Sequence, residues 1–125
     1  MDENIIANKV IGAAIEVHRT LGPGLLESAY QDCLRHELYH SGIECECELP
    51  IALSYKGLVV GEAYRIDLIV ENKLIIELKT VSGLQDIHKA QLLTYLRLTK
   101  KKLGLLINFN EVLLKNGIKR VVNNL

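Results

Sequence analysis

Three ionic side chains interrupt two apolar runs in the middle of the chain. Within residues 64–80, YRIDLIVENKLIIELKT, Asp67 lies in the first run, and Glu77 and Lys79 lie in the second. Ionic groups in largely apolar strands cost free energy unless they are solvated, paired or bound to a cation. These three side chains are therefore the first candidates for a functional site.

The two runs are predicted to form a β-hairpin that turns at Glu71-Asn72-Lys73. If the turn centres on Asn72, Asp67 and Glu77 lie directly opposite each other. Side-chain alternation then makes one face wholly apolar, with Ile66, Leu68, Val70, Leu74, Ile76 and Leu78. The other face carries Arg65, Asp67, Ile69, Ile75, Glu77 and Lys79. The hairpin therefore predicts a carboxylate pair on its less apolar face.

Two interpretations of this carboxylate pair are open. The face could be solvated, with its acidic groups balanced by Arg65 and Lys79. Two opposed carboxylates repel, however, and a purely structural sheet tends to avoid them unless a cation lies between them. Mg²⁺ prefers oxygen ligands of this kind. Lys79 would reach the same place, where it could orient an attacking water or neutralise charge on a phosphate.

Two predicted helices add further candidates. In the segment GLLESAY, Glu27 and Tyr30 are three residues apart and share a helix face. In the segment HKAQLLTY, His88, Gln91 and Tyr95 form one stripe. Each has a structural alternative, because a glutamate in the first turn favours the helix dipole, a tyrosine on an apolar stripe belongs to the core, and a polar stripe often faces water.

Hydrophobic periodicity gives the elements that would position these residues. Predicted helices cover residues 3–20, 25–40 and 86–100, and predicted strands cover residues 45–55, 58–70, 74–80, 103–109 and 118–122. This order indicates an α+β or α/β fold with one mixed sheet. With 125 residues and 49% hydrophobic content, the chain can build one core, so residues 1–125 are predicted to form a single domain.

The formal net charge of zero hides an uneven distribution. Residues 1–72 contain 5 Lys or Arg and 12 Asp or Glu, whereas residues 73–125 contain 10 and 3. The basic candidates are Lys79, Lys89, Arg97, Lys100, Lys101, Lys102, Lys115, Lys119 and Arg120. On one face they could meet a polyanion, while the acidic part could gather cations. An ordinary solvated surface with uneven sampling is the alternative.

Cysteine usage and the amino terminus bear on the compartment. Three cysteines without framework spacing favour a reducing environment. Cys45 and Cys47 share a strand face, but a zinc site needs two further soft ligands, so buried cysteines are favoured. The segment MDENIIANKV lacks the basic and long apolar regions of a signal peptide, and no apolar run reaches spanning length. We expect a cytoplasmic protein without a membrane partner.

Taken together, the candidates carry a resemblance to a known family. The order Glu27, Asp67, Glu77-Leu78-Lys79, then Gln91 and Tyr95 resembles the motifs of the PD-(D/E)xK nuclease superfamily, in the branch with a QxxxY helix. GLLESAY is similar to the signature of the small bacterial and archaeal GxxExxY proteins of that superfamily. The resemblance covers residues 21–109. The E-x-K element alone is a very weak signal, but four elements in the right order are much more specific.

The resemblance implies a restriction-endonuclease-like domain in which helices flank a central mixed β-sheet. It implies that Glu27, Asp67 and Glu77 bind Mg²⁺ or Mn²⁺ and that Lys79 positions or activates the attacking water. Gln91 and Tyr95 match residues that line the site and contact phosphate or Lys79, and the nearby His88 is a further candidate for phosphate contact. The iron–sulfur cysteines and accessory DNA-binding domains of some relatives are missing, which leaves the substrate open and suggests a homodimer.

Three functions remain in competition. The leading hypothesis is a Mg²⁺- or Mn²⁺-dependent phosphodiesterase that acts on nucleic acid, with DNA as the expected substrate. The second is a module on a nuclease fold that binds nucleic acid or protein without cutting, because the chain is small and neutral overall. The third is a purely structural subunit. Metal binding by the three acidic residues separates the first hypothesis from the others.

Overall fold

The helices and strands follow the predicted order closely. The computed structural model describes residues 1–125, except for the side chains of residues 62 and 63. Its elements are α1 (Glu3–Leu21), α2 (Glu27–His40), β1 (Cys45–Tyr55), β2 (Leu58–Val70), β3 (Leu74–Lys79), α3 (Asp86–Thr99), β4 (Leu103–Asn108), a short 3-10 turn (Leu114–Gly117) and β5 (Ile118–Val122). The predicted α+β architecture is confirmed. Among the described residues, no helix combines the length and the apolar character that a membrane span requires.

The strands form one mixed, five-stranded sheet in the order β1-β2-β3-β4-β5. Neighbouring strands are antiparallel except for β3 and β4, which are parallel. A parallel pair needs a long crossover connection, and α3 supplies it. The chain therefore carries α3 across one face of the sheet directly after β3, which contains Glu77 and Lys79.

Helices cover both faces of the sheet. One core cluster joins α1 and α2 to the sheet and contains Val10, Leu34, Leu68, Ile76 and Leu105 among its buried residues. A second cluster joins α3 to the opposite face. Five of the six residues predicted for the apolar hairpin face belong to the first cluster, whereas Ile66 packs in the second. Ile66 lies beyond the last β2–β3 pair, where β2 no longer follows its neighbour.

The register of the β2–β3 hairpin matches the prediction. Leu68 pairs with Ile76 and Val70 pairs with Leu74, so the turn centres on Asn72. Glu71 and Asn72 both adopt positive φ angles in this turn. Strand pairing ends at Leu68 and Ile76, one residue before the two predicted carboxylates. The opening between β2 and β3 beyond this pair is called the cleft below.

Close packing of α3 on the sheet depends on Gly104 in β4. A Cβ added there would lie 2.8 Å from a Cδ atom of the buried Leu92 on α3. We expect Gly104→Ala to lower the free energy of unfolding by about 1–3 kcal/mol, because overpacking forces a backbone or rotamer shift. Denaturant unfolding measures the change. Gly12→Ala, in α1 with open space around the new methyl group, should instead stabilise by up to about 1 kcal/mol; equal effects of the two changes would contradict this account of α3 packing.

Candidate active site

Asp67 and Glu77 lie side by side at the start of the cleft. The Asp67 N–H donates to Glu77 Oε1 at 3.2 Å, and the Leu78 N–H donates to Asp67 Oδ2 at 2.8 Å. The two carboxylates thus accept main-chain hydrogen bonds at the level where the regular strand pairing has ended. This arrangement leaves one oxygen of each carboxylate for another partner. The predicted juxtaposition of the two residues is therefore present.

Burial makes this pair electrostatically unusual. Glu77 is only 5% exposed, which excludes the solvated-face interpretation for this residue. Desolvation, followed by repulsion from Asp67, raises the pKa of Glu77 to about 9. Desolvation also raises the pKa of Asp67, although its hydrogen bond from Leu78 opposes the shift. A buried and a half-buried carboxylate whose charges are this costly are suited to a cation that would share their oxygens.

Lys79 supplies positive charge at the same place. Its side chain is half-buried, and its charge acts to lower the pKa of both Asp67 and Glu77. The end of β3 is held by the buried Asn108 of β4, which pairs with Lys79. Asn108 Nδ2 donates to the Val81 carbonyl at 2.9 Å, and the Val81 N–H donates to Asn108 Oδ1 at 3.1 Å. The sequence offered one signal for Asn108 that was not used, namely a polar residue ending an apolar strand.

The polar stripe of α3 lies on the same side of the sheet. Tyr95 is 4% exposed, and desolvation together with the charges of Glu77 and Asp67 raises its pKa to about 12. Gln91, one turn earlier, is half-buried and lines a cavity with Tyr95 and His88. The stripe therefore does not simply face water. It borders the carboxylate pair at Tyr95 and an open cavity along the rest of its length.

His88 has a structural task that the sequence did not reveal. Its Nδ1 accepts a hydrogen bond from the Gln85 N–H at 3.0 Å, as part of a capping box at the start of α3. In the neutral ring the proton must then lie on Nε2. The capping contact satisfies a main-chain donor at the helix end. The contact with phosphate expected for His88 remains a prediction.

Tyr30 explains why the segment GLLESAY folds as it does. The Tyr30 hydroxyl donates to the Gly22 carbonyl at 2.5 Å and accepts from the Leu25 N–H at 3.2 Å. Its ring is fully buried and stacks on Phe109, with centroids 4.4 Å apart. The Phe109 N–H in turn donates to the Lys79 carbonyl at 2.9 Å. Tyr30 is therefore a core residue, and it fixes the start of α2 at the Lys79 end of the sheet.

Glu27 is not brought into contact with the carboxylate pair. It is the exposed first residue of α2. Across the described side chains, no three His, Cys, Asp or Glu residues are close enough together to hold a metal ion. The expected convergence of Glu27, Asp67 and Glu77 is thus not preformed, and only the last two meet. Glu27 is the first residue of α2, and the first side chains of a helix can face solvent as well as the core. Its position in the motif therefore does not by itself direct it toward the pair.

Glu48 is an acidic neighbour that the sequence reasoning missed. It has a positive φ angle and lies on β1 between the pairs Cys47–Leu68 and Leu49–Ile66, at the level of Asp67. Its charge contributes to the raised pKa of Asp67. Gln31 of α2, one turn after Glu27, donates to Glu48 Oε1 at 2.9 Å. The β1–β2 register could have indicated Glu48, because the same alternation was applied to β2 and β3.

The donor set fits a hard divalent cation of the magnesium type. Mg²⁺ usually keeps several waters and binds through one or two carboxylates together with substrate phosphates. Asp67 and Glu77 supply such a pair, and each has an oxygen outside the main-chain hydrogen bonds described above. A soft metal would need thiolate or imidazole ligands, which this pair does not offer. The residues therefore fit Mg²⁺ or Mn²⁺.

Lys101, one of the basic candidates, lies away from the cleft. Lys101 Nζ donates to the Asn72 carbonyl at 2.8 Å, at the hairpin turn. That turn lies at the opposite end of β3 from Lys79, a distance of roughly 16 Å at about 3.3 Å per residue. Lys101 is therefore separated from the cleft by the length of β3, and the shared basic face stays a prediction.

A larger cavity lies at this turn end, and its lining contains none of the predicted site residues. Its volume is about 880 Å³, and its lining includes Asp32, Glu44, Glu46 and Glu71. Four carboxylates with a single arginine, Arg35, make this cavity unfavourable for a polyanion. The smaller cavity, by contrast, is lined by Tyr95, Gln91 and His88 of the polar stripe on α3.

Comparisons with known proteins bear on the family and the fold. A family model described as the PD-(D/E)XK nuclease superfamily matches residues 4–121. The chain is also similar to a solved structure described as "Crystal structure of SSO0001", with 27% sequence identity and a TM-score of 0.58. The similarity covers 79% of this chain and 51% of that one, so the chain spans about half its length. No match is found among curated proteins.

Proposed function

Because the chain belongs to the PD-(D/E)XK nuclease superfamily, we propose that it hydrolyses phosphodiester bonds of nucleic acid, specifically DNA, with Mg²⁺ or Mn²⁺. Within the superfamily we place it in the QxxxY branch, among the GxxExxY proteins. The segment GLLESAY and the spacing of four between Gln91 and Tyr95 support this placement. The observation that carries the proposal is the pair formed by the half-buried Asp67 and the buried Glu77 beside Lys79.

Each side chain of the site has a role in the proposed reaction. Asp67 and Glu77 would hold the ion through their remaining oxygens, and Glu27 is the third residue that we assign to it. When bound, the ion would supply a Lewis acid that stabilises negative charge on the reacting phosphate. Lys79 would orient the attacking water and offset the charge that develops on the phosphate oxygens. Gln91 and Tyr95, on the rigid face of α3, would position the substrate phosphate next to this group.

Removal of the ion gives the direct test of the proposal. Purified protein is expected to cleave DNA with Mn²⁺ or Mg²⁺. Excess EDTA should abolish cleavage, because without a cation the carboxylates of Asp67 and Glu77 repel the phosphate instead of stabilising its charge. Gel electrophoresis of labelled single-stranded, duplex and branched DNA measures the activity. Added Mn²⁺ should restore cleavage after EDTA treatment. Cleavage that persists at full rate in EDTA would refute the assignment.

A non-cutting binding module is the alternative that one observation favours. Glu27 is exposed and apart from the carboxylate pair, so the site has two acidic residues in contact rather than three. A module of this kind would bind DNA with the same affinity in EDTA and in Mn²⁺, and would cut none of the tested forms.

The three free cysteines fit the reducing cytoplasm, which we propose as the location of the protein.

A further inference from the structure

The cavity beside the carboxylate pair, which we call the side pocket, has a composition unlike that of the cleft. Its volume is about 360 Å³, and its lining includes Leu53, Tyr64, Ile87, Gln91, Tyr95 and Leu98. Apolar and aromatic side chains thus dominate, while Gln91 contributes one amide. The described lining includes neither lysine nor arginine. A phosphate therefore finds no lysine or arginine there, and the Nδ1 of His88, which also lines the pocket, is already engaged by the Gln85 N–H. A flat, largely apolar group with polar edges finds suitable walls.

Tyr64 and Ile87 expose aromatic and apolar surface in the lining of this pocket. Ile87, in the first turn of α3, is 67% exposed, and Tyr64 on β2 is 42% exposed. The Tyr64 ring is 6.0 Å from the Tyr95 ring and tilted by 55°, so the two rings do not stack. Tyr64 therefore keeps a ring face that Tyr95 does not cover. An exposed aromatic ring in a pocket is the usual platform for an unstacked base.

The side pocket lies on the face of the sheet that carries the proposed catalytic group. Tyr95 lines the pocket and packs in the same buried cluster as Ile69 and Ile75, which lie two residues from Asp67 and Glu77 on that face. A nucleotide whose phosphate lies at the carboxylate pair thus has its base within reach of Tyr64. The pocket volume is at the small end of ligand sites and suits one nucleoside rather than several.

Resting on the proposed function, we propose that the side pocket receives one unstacked nucleobase next to the phosphodiester that is cut. A base within a duplex cannot enter such a pocket without leaving its stack, which costs a few kcal/mol. The substrate is therefore a nucleic acid with an unpaired nucleotide at the cut: a single strand, a frayed end or a branch. Tyr64 stacks on the base, and Leu53 and Ile87 flank it.

An abasic scan of a single-stranded DNA oligonucleotide tests this inference. One abasic residue, placed at each position in turn, should lower kcat/KM about tenfold at the position next to the cut and little elsewhere, in line with the usual strength of base–aromatic stacking. Tyr64→Ala should lower kcat/KM on the intact oligonucleotide by a similar factor. On the oligonucleotide with the critical abasic residue, Tyr64→Ala should cause no further loss, because both changes remove the same contact.

Two variants serve as matched controls. Tyr64→Phe keeps the ring and should keep the preference for the intact over the critical abasic oligonucleotide, which Tyr64→Ala loses. Tyr55→Ala removes a 60% exposed tyrosine from the same β1–β2 hairpin, outside the pocket lining, and should also leave kcat/KM unchanged. Cleavage with a flat abasic scan and a fully active Tyr64→Ala protein would overturn the pocket assignment and leave the nuclease assignment intact.

The pocket can also be tested if no DNA is cut. Fluorescence anisotropy then compares the binding of intact and abasic oligonucleotides to the parent protein and to Tyr64→Ala. Loss of the preference for the intact strand in Tyr64→Ala would support the pocket even though the nuclease proposal had failed. Equal affinity in all four combinations would overturn the pocket as well.

Discussion

Asp67→Asn is expected to lower the rate of DNA cleavage by about a thousandfold or more. The change keeps the size of the side chain but removes its charge, so the pair loses one of its two carboxylate ligands for the ion. Lewis-acid stabilisation of the transition state amounts to several kcal/mol, and each 1.4 kcal/mol corresponds to about a factor of ten. Single-turnover cleavage with saturating Mn²⁺ measures the rate, and calorimetric titration with Mn²⁺ should show weakened binding in the same variant.

Lys79→Ala tests the same site independently of the carboxylates. It should reduce cleavage by a comparable factor, because the water and the phosphate lose their positive neighbour, while Mn²⁺ binding should persist since the carboxylates remain. Asp32→Asn, an exposed acidic residue of the distant larger cavity, is the matched control and should keep full activity. Substantial cleavage by both Asp67→Asn and Lys79→Ala would end the catalytic assignment.

Metal-free protein is expected to lose stability steadily as the pH rises from about 5 to about 9. Burial raises the pKa of Glu77 from its ordinary 4.5 to about 9, so the folded state holds a proton that the unfolded state has released in this range. The folded state is then favoured fully below the unfolded pKa, and this advantage disappears as the pH passes through the folded pKa. The slope reaches at most about 1.4 kcal/mol of unfolding free energy per pH unit for one proton.

Urea unfolding at a series of pH values measures this slope. Glu77→Gln removes the titrating group while keeping its shape, and should flatten the profile relative to the parent protein. Glu44→Gln, at an exposed position, should keep the parent slope. Mn²⁺ should stabilise the parent protein most at high pH, where Glu77 is ready to bind as a carboxylate. An unchanged slope in Glu77→Gln would show that another group titrates.

The sequence predicted the fold well because its signals were local. The change from helical periodicity to alternation gave all the main elements, and the turn at Asn72 gave the β2–β3 register. The restriction-endonuclease-like fold implied by the resemblance is confirmed by the family match and the solved structure. The contact between Asp67 and Glu77 followed from that register, since opposed positions in a hairpin need no knowledge of distant parts of the chain.

The features that escaped prediction depend on how separate elements pack. Whether Glu27 reaches the carboxylate pair depends on how α2 is rotated about its axis. The periodicity of α2 indicates that residues such as Tyr30 face the core, but it does not indicate where an exposed side chain such as Glu27 points. Glu48 enters the neighbourhood through the β1–β2 register, and His88 is engaged by a cap at the start of α3. Helix spacing placed His88 on the correct stripe but could not show that its Nδ1 was already occupied.

The early end of β2–β3 pairing has a consequence for the handling of the protein. From Asp67 back to Leu58, β2 pairs with β1 on one side, and on its other side it makes no described strand pairs. Leu58 and Val59 are more than 60% exposed along this stretch. An open, apolar strand edge is a template on which a second chain can add its own strand. This hairpin should therefore limit the solubility of the protein at high concentration, and Val59→Lys should raise that solubility.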